Sequence, residues 1–539
     1  MDRFKELILY SFLACLLSFN RQHGIYGETS DDHEHHHPHL EPPPDDHQPP
    51  YHQPWAGNDW AKLGRQRIEK ISKTADNLKR NKAKNVILFL GDGMGLSTIA
   101  AARVYRAQRE GLKHEKTYLT METLPYAGLS RTYSVDRTTA DSASTATAYL
   151  CGVKTNYGTL GVNEYVSLGS CDNYTDANRL KSSAVNSIDA NKWVGVISTT
   201  RLTHASPAGN YANSPDRNWE GKVDSKCRDK VLDIAQQLVV GEKNRKIRVA
   251  MGGGVEMFIP KNESEHGHRG KRDDNRNLIK EWMGIREANK ERYKFVKNKK
   301  EFDAANPANV DYLLGLFSYD HMSYEADRNR TEQPSLAEMT KKSLQLLSRS
   351  PNGYFLFVEG GRIDHAHHDT NAQRALIDTL SFDEAIRVAL NMTNDNETLV
   401  VVTADHSHTL TLGGYGLSTE SILGFSYSRG KDGKPFLQLH YANGPGFEDH
   451  RMVNGKEVPR KNLTGNPDLE NIDFRQDTGI WLSDETHGGE DVAVYASGPW
   501  AHLFGSSEEE THIAHSTMFA SCVGQYSKEK HCGARTRRG

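Results

Sequence analysis

The 539-residue sequence carries no surplus of charge of either sign: 67 Lys and Arg stand against 70 Asp and Glu, a formal net charge of −3. A protein that holds nucleic acid by its phosphates needs a basic excess to displace counterions, so that class of partner is excluded. No apolar run reaches the roughly 18–20 residues of a bilayer span, and no repeat of about 20–50 residues is visible. A polytopic membrane protein and a solenoid are thereby excluded as well. Hydrophobic residues make up a modest 36%, yet a chain this long still buries a substantial core. At roughly 100–200 residues per domain the length suggests about three units, although α/β folds often exceed that size. What is left is a large soluble globular protein, read as an enzyme.

Cysteine is also scarce, with six in all, and its use bears on compartment. Arg3 and Lys5 precede an apolar run over residues 7–19 broken only by Ser11 and Ser18. That is the length of a signal-peptide core, so residues 1–20 are expected to direct secretion, with cleavage between residues 19 and 30. Six N-x-S/T sequons, at Asn173, Asn262, Asn329, Asn391, Asn396 and Asn462, agree with that route. Cys15 would leave with the signal, and five cysteines remain, an odd number. Cys522 and Cys532 are close enough to close a small loop, Cys171 with Cys227 makes a second pair, and Cys151 is left as a buried thiol. Residues 21–60, with His33, His35, His36, His37 and His39 among acids and prolines, cannot build a core and are expected to be a solvated, disordered segment. Residues 61–534 are expected to form one catalytic domain. A basic tail, residues 535–539, follows without the hydrophobic segment of a lipid-anchor signal, so no membrane anchor is expected in this chain.

Short apolar runs at residues 86–90, 194–197, 249–251, 354–358, 399–402 and 492–495 read as buried parallel strands. Helical patterns lie between them, at 335–347 and 372–390. The alternation predicts an α/β fold, a large and mostly parallel central sheet sandwiched by helices. Ligands of such sheets bind beyond the carboxyl ends of the strands, and Gly, Asp, Glu or Ser/Thr stands within two residues after each run here. The turn from Gly91 to Gly95 is no dinucleotide fingerprint, because Leu96 stands where the third glycine belongs and Asp92 would repel a pyrophosphate.

The strand ends are rich in metal ligands. Glu359, Asp364 and His368 follow one run, Asp405 and His406 another, and Asp92 a third; His487 lies in a Gly-flexible loop. Asp364 and His368 are four apart, so one helical turn would set both on one face. His and Asp without cysteine suit catalytic zinc; Asp92, Glu359 and a hydroxyl suit magnesium. Asp141 and Ser142 open a small-residue helix, where a serine would meet the backbone N–H donors that favour phosphate. With a metal beside it, that hydroxyl would need no histidine base.

In their order and content, the strings 90–95, 141–150, 204–209, 359–368, 403–408 and 485–492 closely resemble the alkaline phosphatase family, its extracellular, metazoan and nearest its invertebrate branch. The resemblance spans residues 82–532. It implies an α/β fold with a smaller inserted peripheral region, and a phosphomonoester hydrolase of broad specificity with an alkaline optimum. It makes Ser142 the nucleophile that becomes a phosphoserine. Asp364, His368 and His487 resemble the ligands of a first zinc, and Asp92, Asp405 and His406 those of a second. Asp92, Ser206 and Glu359 resemble a magnesium set, with His204 beside it. Arg217 matches the arginine that clamps phosphate oxygens. A homodimer acting on small phosphomonoesters or phosphorylated surfaces is implied too. A peripheral calcium site of vertebrate members is not expected, since Ser318 and Gln333 stand where acids belong, leaving Glu265 and Phe317 as remnants. A sulfatase reading fails because residues 142–146 lack the C/S-x-P-x-R frame. A phosphodiesterase would lack the magnesium set. A non-catalytic binding protein would have no reason to keep every position the mechanism needs.

Overall fold

All six apolar runs form strands in the computed structural model, which describes residues 78–465 and 467–533. The expected signal peptide, His-rich segment and basic tail lie outside those residues. The runs are continuous in hydrophobicity because both faces of the sheet are covered. In Asn85–Gly91, Val86, Leu88 and Leu90 point into one apolar layer while Ile87 and Phe89 point into the other. Phe355 and Phe357 against Leu356 and Val358, and Leu399 and Val401 against Val400 and Val402, repeat the same division. Helices Leu96–Glu110, Leu336–Leu347 and Ala372–Met392 supply the first layer with Phe89; Ser142–Cys151, Ser183–Asp189, Leu278–Ala288 and Thr511–Ser521 supply the second with Leu88. Leu336–Leu347 begins where it does because Ser335 and Glu338 close a reciprocal capping box.

The central sheet has ten strands, in the order Ser507–Glu509, Tyr126–Arg131, Val492–Ser497, Thr398–Thr403, Asn85–Gly91, Tyr354–Gly360, Trp193–Arg201, Val249–Gly253, Tyr312–Leu316, Tyr293–Val296. The four strands without a counterpart among the six runs are the outer two at each edge. They are short, partly exposed or, like Tyr312–Leu316, interrupted by a glycine. One run differs from expectation in direction: Val492–Ser497 is antiparallel to both its neighbours. The reason is topological. Thr398–Thr403 ends at the carboxyl edge, the chain makes its excursion over residues 404–491, and His487 brings it back to that same edge, so the next strand must run the other way. The excursion is the smaller peripheral region, built on a three-stranded sheet of Leu410–Leu412, Leu439–Gly444 and Thr478–Trp481. No helix among the described residues is long and apolar enough to cross a membrane.

Two disulfides join Cys171 to Cys227 and Cys522 to Cys532, and Cys151 is free and buried. Burial pushes the Cys151 thiol up to about 12, so it stays protonated and inert. Cys171 and Cys227 form a small satellite core with Trp219, Val223 and Val231. Their bridge spans 56 residues against 10 for the other. Loop-closure entropy therefore predicts that Cys227→Ser costs about 4 kcal/mol and Cys532→Ser about 3 kcal/mol. Denaturant midpoints of the two variants should fall in that order; the reverse order would contradict the entropic account.

Candidate active site

The carboxyl edge gathers side chains from five parts of the chain because the strands ending there are neighbours. Asp92 follows Asn85–Gly91, Glu359 closes Tyr354–Gly360, and Asp405 and His406 follow Thr398–Thr403. Ser142 opens a helix packed beneath them, and His204 and Ser206 lie at the helix Ala205–Ala208 that follows Trp193–Arg201. The turn after Asp92 is shaped for close approach: Gly93 has φ +71°, donates its N–H to Asp405 Oδ1 at 3.0 Å, and would put a Cβ 2.5 Å from His408 Nε2.

Two groups of ligand atoms sit at metal-binding spacing. Asp364 and His368 lie on the short helix Arg362–His368, one turn apart as expected. Asp364 Oδ1 is 3.4 Å from His368 Nε2 and 3.5 Å from His487 Nε2, and the two imidazole nitrogens are 3.2 Å apart. In the second group His406 Nε2 lies 3.6 Å from Asp92 Oδ1, 3.3 Å from Asp405 Oδ2 and 3.1 Å from Ser142 Oγ. Ligands about 2.1 Å from a tetrahedral ion are separated by about 3.4 Å, close to the separations found around Asp364 and His406. A third group joins Asp92, Glu359 and His204. The Ser206 hydroxyl lies beside the buried Tyr149 hydroxyl, within the field of Asp92, Glu359 and Asp405.

Electrostatics point the same way. Both Asp92 oxygens, Asp405 Oδ2, Glu359 Oε1, Ser206 Oγ and His204 Nδ1 are buried with no hydrogen-bond partner among the described residues. An orphaned buried polar atom costs about 1–3 kcal/mol, more if charged. Burial, then the neighbouring carboxylates Asp405, Asp364 and Glu359, raise Asp92 well above the usual range. Burial likewise pushes Glu359 up to about 7 and Asp405 up to about 6. Carboxylates crowded in this way are stable as anions only beside cations, and the all-oxygen and imidazole donor set suits zinc and magnesium.

Asp141 caps the Ser142 helix, accepting from the N–H groups of Ala143 and Ser144 at 3.2 Å each. Burial opposes its charge, but Arg217, whose Nη1 reaches it at 3.0 Å, and the N–H of Gly158 hold it below the usual carboxylate range. Arg217 Nη2 also lies 3.1 Å from His204 Nε2. Burial, then Arg217, hold the His204 ring neutral. Arg217 is thus brought to the entrance of the serine helix, where its fork can turn from Asp141 to an oxyanion.

All eleven residues singled out as catalytic or metal-ligating converge on this edge. Four others do so unannounced. His408 Nε2 lies 2.7 Å from Asp364 Oδ1, while its Nδ1 meets Glu485. Burial disfavours the His408 cation, but Glu485 and Asp364 push the imidazole up to about 10. Ser198 and Thr200 donate to Glu359 Oε2, the latter at 3.3 Å. The alternation His406-Ser407-His408 and the Ser/Thr run after Val196 were the signals available for these. Away from the site, Glu265 is paired with Lys297 at 2.9 Å, beside Phe317, Ser318 and Gln333.

Comparison with known proteins agrees with the geometry. Residues 83–523 match the family model described as alkaline phosphatase. The chain is 41% identical over 473 residues to the membrane-bound alkaline phosphatase of Bombyx mori, covering 86% of this chain and 85% of that protein. It is 42% identical over 482 residues to the alkaline phosphatase of Gadus morhua, covering 87% and 97%. With the tissue-nonspecific isozyme of Homo sapiens it shares 43% over 462 residues, covering 83% and 85%. The crystal structure of Thermus thermophilus alkaline phosphatase shares the fold, with a TM-score of 0.59 and 24% identity, covering 82% of this chain and 92% of that one. The chain belongs to the alkaline phosphatase family and is a hydrolase of phosphate monoesters.

Proposed function

We propose that this hydrolase works by double displacement through a phosphoserine on Ser142, at a centre of two zinc ions and one magnesium ion, with activity rising toward alkaline pH. The observation that carries the reading is the position of Ser142 Oγ, at a helix N-terminus and 3.1 Å from His406 Nε2, inside one of two ligand groups at tetrahedral spacing. Asp364, His368 and His487 would hold one zinc, Asp92, Asp405 and His406 the other, and Asp92, Glu359 and Ser206 magnesium, with His204 beside it. Bound there, these ions supply the positive charge and Lewis acidity that ease ionisation of a hydroxyl or water and offset charge on the entering and leaving oxygens.

The chain's own groups do the rest. Ser142 Oγ, its proton lost, attacks phosphorus; the bond to the ester oxygen breaks, and the alkoxide leaves and is protonated. Water then attacks the phosphoserine from the side the alcohol left, and the Ser142 oxygen departs with the electron pair. Of the first-turn N–H groups, those of Ala143, Ser144 and Thr145 are taken by Asp141, which leaves the Ser142 N–H at the helix N-terminus for the phosphate. Arg217 grips two equatorial oxygens with a planar fork that an ammonium cannot copy. Because these contacts are made to the phosphate, broad specificity follows.

Arg217→Lys should therefore lower kcat/KM for an aryl phosphate by about 10²-fold and weaken inhibition by inorganic phosphate. An unchanged inhibition constant would remove Arg217 from the phosphate site. The whole proposal is tested by hydrolysis of a chromogenic aryl phosphate from pH 7 to 10, before and after chelation. Activity should rise with pH, vanish on chelation and return with zinc and magnesium. Activity indifferent to chelation would overturn it.

Three further proposals concern context. All six sequon asparagines are exposed, which supports glycosylation and with it secretion. A homodimer rests on the family resemblance. Calcium is left out, because Lys297 already supplies the positive charge at Glu265.

A further inference from the structure

Arginines near the site are almost all spoken for. Arg201 is held by Glu220 at 2.7 Å and Asp320 at 2.6 Å, Arg217 by Asp141, Arg328 by Glu325, and Arg374 by Asp327 and Asp473. Arg362 is the exception: no carboxylate among the described residues lies within ion-pair distance, and its buried Nε has no hydrogen-bond partner. Asp378 feels its charge but lies beyond that distance and accepts the Glu325 N–H at 3.1 Å.

The guanidinium is nevertheless well placed. It lies 3.8 Å from the centre of the Tyr324 ring, and that ring is pinned by its hydroxyl to Asp369 Oδ2 at 3.1 Å and by Arg374 at 5.4 Å from its centre. Arg362 Nη1 meets His365 Nδ1 at 2.9 Å. The His365 ring is 5.4 Å from that of His204, which meets Arg217. His321 closes the group, 4.2 Å from His365 and 5.3 Å from His204 between ring centres. A continuous line of side chains thus runs from the proposed phosphate clamp to Arg362, with both Arg362 and His365 only partly exposed.

We propose that Arg362, held over the Tyr324 ring, is a second anion subsite that recognises an additional anionic group on the leaving alcohol of a phosphomonoester substrate. A stacked guanidinium has lost its rotamer freedom before the ligand arrives, and it offers a planar fork to a carboxylate or a second phosphate. Two imidazoles separate it from Arg217, so a spacer of at least one aromatic ring must lie between the phosphorus and the second group. The enzyme is thereby tuned, within its broad range, toward phosphate esters with two anionic ends. This inference rests on the phosphomonoesterase reading and refines it.

The test compares kcat/KM for 4-carboxyphenyl phosphate and 1,4-phenylene bisphosphate with that for 4-carbamoylphenyl phosphate, a neutral isostere. Zinc- and magnesium-loaded wild type should favour the anionic esters by about tenfold at low ionic strength, through KM, with the preference shrinking as salt rises. Whichever anionic ester gains more, after correction for the two equivalent esters of the bisphosphate, identifies carboxylate or phosphate as the preferred group. Arg362→Met should bring the ratio to about one, and Tyr324→Leu, which keeps the cation but frees it, should lower it several-fold. A wild-type ratio at or below one overturns the subsite whatever the variants do. So does an equal loss on all esters in Arg362→Met, which would mark Arg362 as a support for the Asp364 helix. Failure of wild type to hydrolyse the neutral ester would instead sink the phosphomonoesterase reading itself.

Discussion

Replacing Ser142 with alanine is expected to lower kcat for an aryl phosphate by at least about 10³-fold while leaving the fold and phosphate inhibition in place. The change removes one oxygen and no cap, because the helix is capped by Asp141, which bonds the N–H groups of Ala143 and Ser144. Nor can the neighbouring hydroxyl substitute, since Ser144 Oγ is spent on Asp141, donating within 2.9 Å of its carbonyl and 2.7 Å of Oδ1. The N–H of residue 142, the first-turn donor that Asp141 does not take, and Arg217 remain to hold phosphate. Retention of more than about a tenth of wild-type kcat would mean that some other group attacks phosphorus. Steady-state kinetics with a melting curve on the same sample decide between lost chemistry and lost fold.

Removing the metals is expected to make stability fall steeply on the alkaline side. Burial pushes Glu359 up to about 7 and raises Asp92 well above its ordinary range, so the metal-free fold keeps protons that the unfolded chain releases near pH 4–4.5. That contribution is present at acid pH and is lost as pH rises through the folded values. His408, pushed up to about 10 against an ordinary value near 6.5, acts in the same direction between those limits. His204, His365, His367 and His406 act oppositely, because burial lowers them; they favour the fold as pH rises, but only up to about 6.5. Above pH 6.5 the histidines are spent and the carboxylates and His408 dominate. Each fully displaced group contributes about 1.4 kcal/mol per pH unit, so chelated protein should lose several kcal/mol between pH 6.5 and 9. Zinc and magnesium should restore it by mass action. Melting curves of chelated and reloaded protein across that range check the sign; a metal-free protein that gains stability above pH 6.5 would contradict it.

The sequence made legible whatever depends on local pattern. Uninterrupted apolar runs marked the six strands covered on both faces, and acids just beyond them marked the edge where the site lies. The i, i+4 spacing of Asp364 and His368 needed only one helical turn to become a ligand pair, and that turn is present. What depends on tertiary connection was not legible. The direction of Val492–Ser497 is set by where an 88-residue excursion returns, over residues 404–491, and not by its own side chains. Short outer strands such as Tyr293–Val296 carry too little apolar pattern to stand out. His408 and Glu485 are far apart in sequence and meet only because a two-residue ladder pairs His408 with His487. The lack of a counter-ion at Arg362 is likewise visible only once the acids around it are placed.

Double displacement requires a covalent bond to Ser142. Metal-loaded enzyme mixed with an aryl phosphate, quenched in acid and examined by intact and peptide mass spectrometry, should carry one phosphoryl group on the peptide beginning the helix Ser142–Cys151, located at Ser142. The adduct should be absent from Ser142→Ala and from chelated enzyme. An active enzyme that never carries the adduct, or carries it on another residue, would contradict the assignment of Ser142 as the nucleophile.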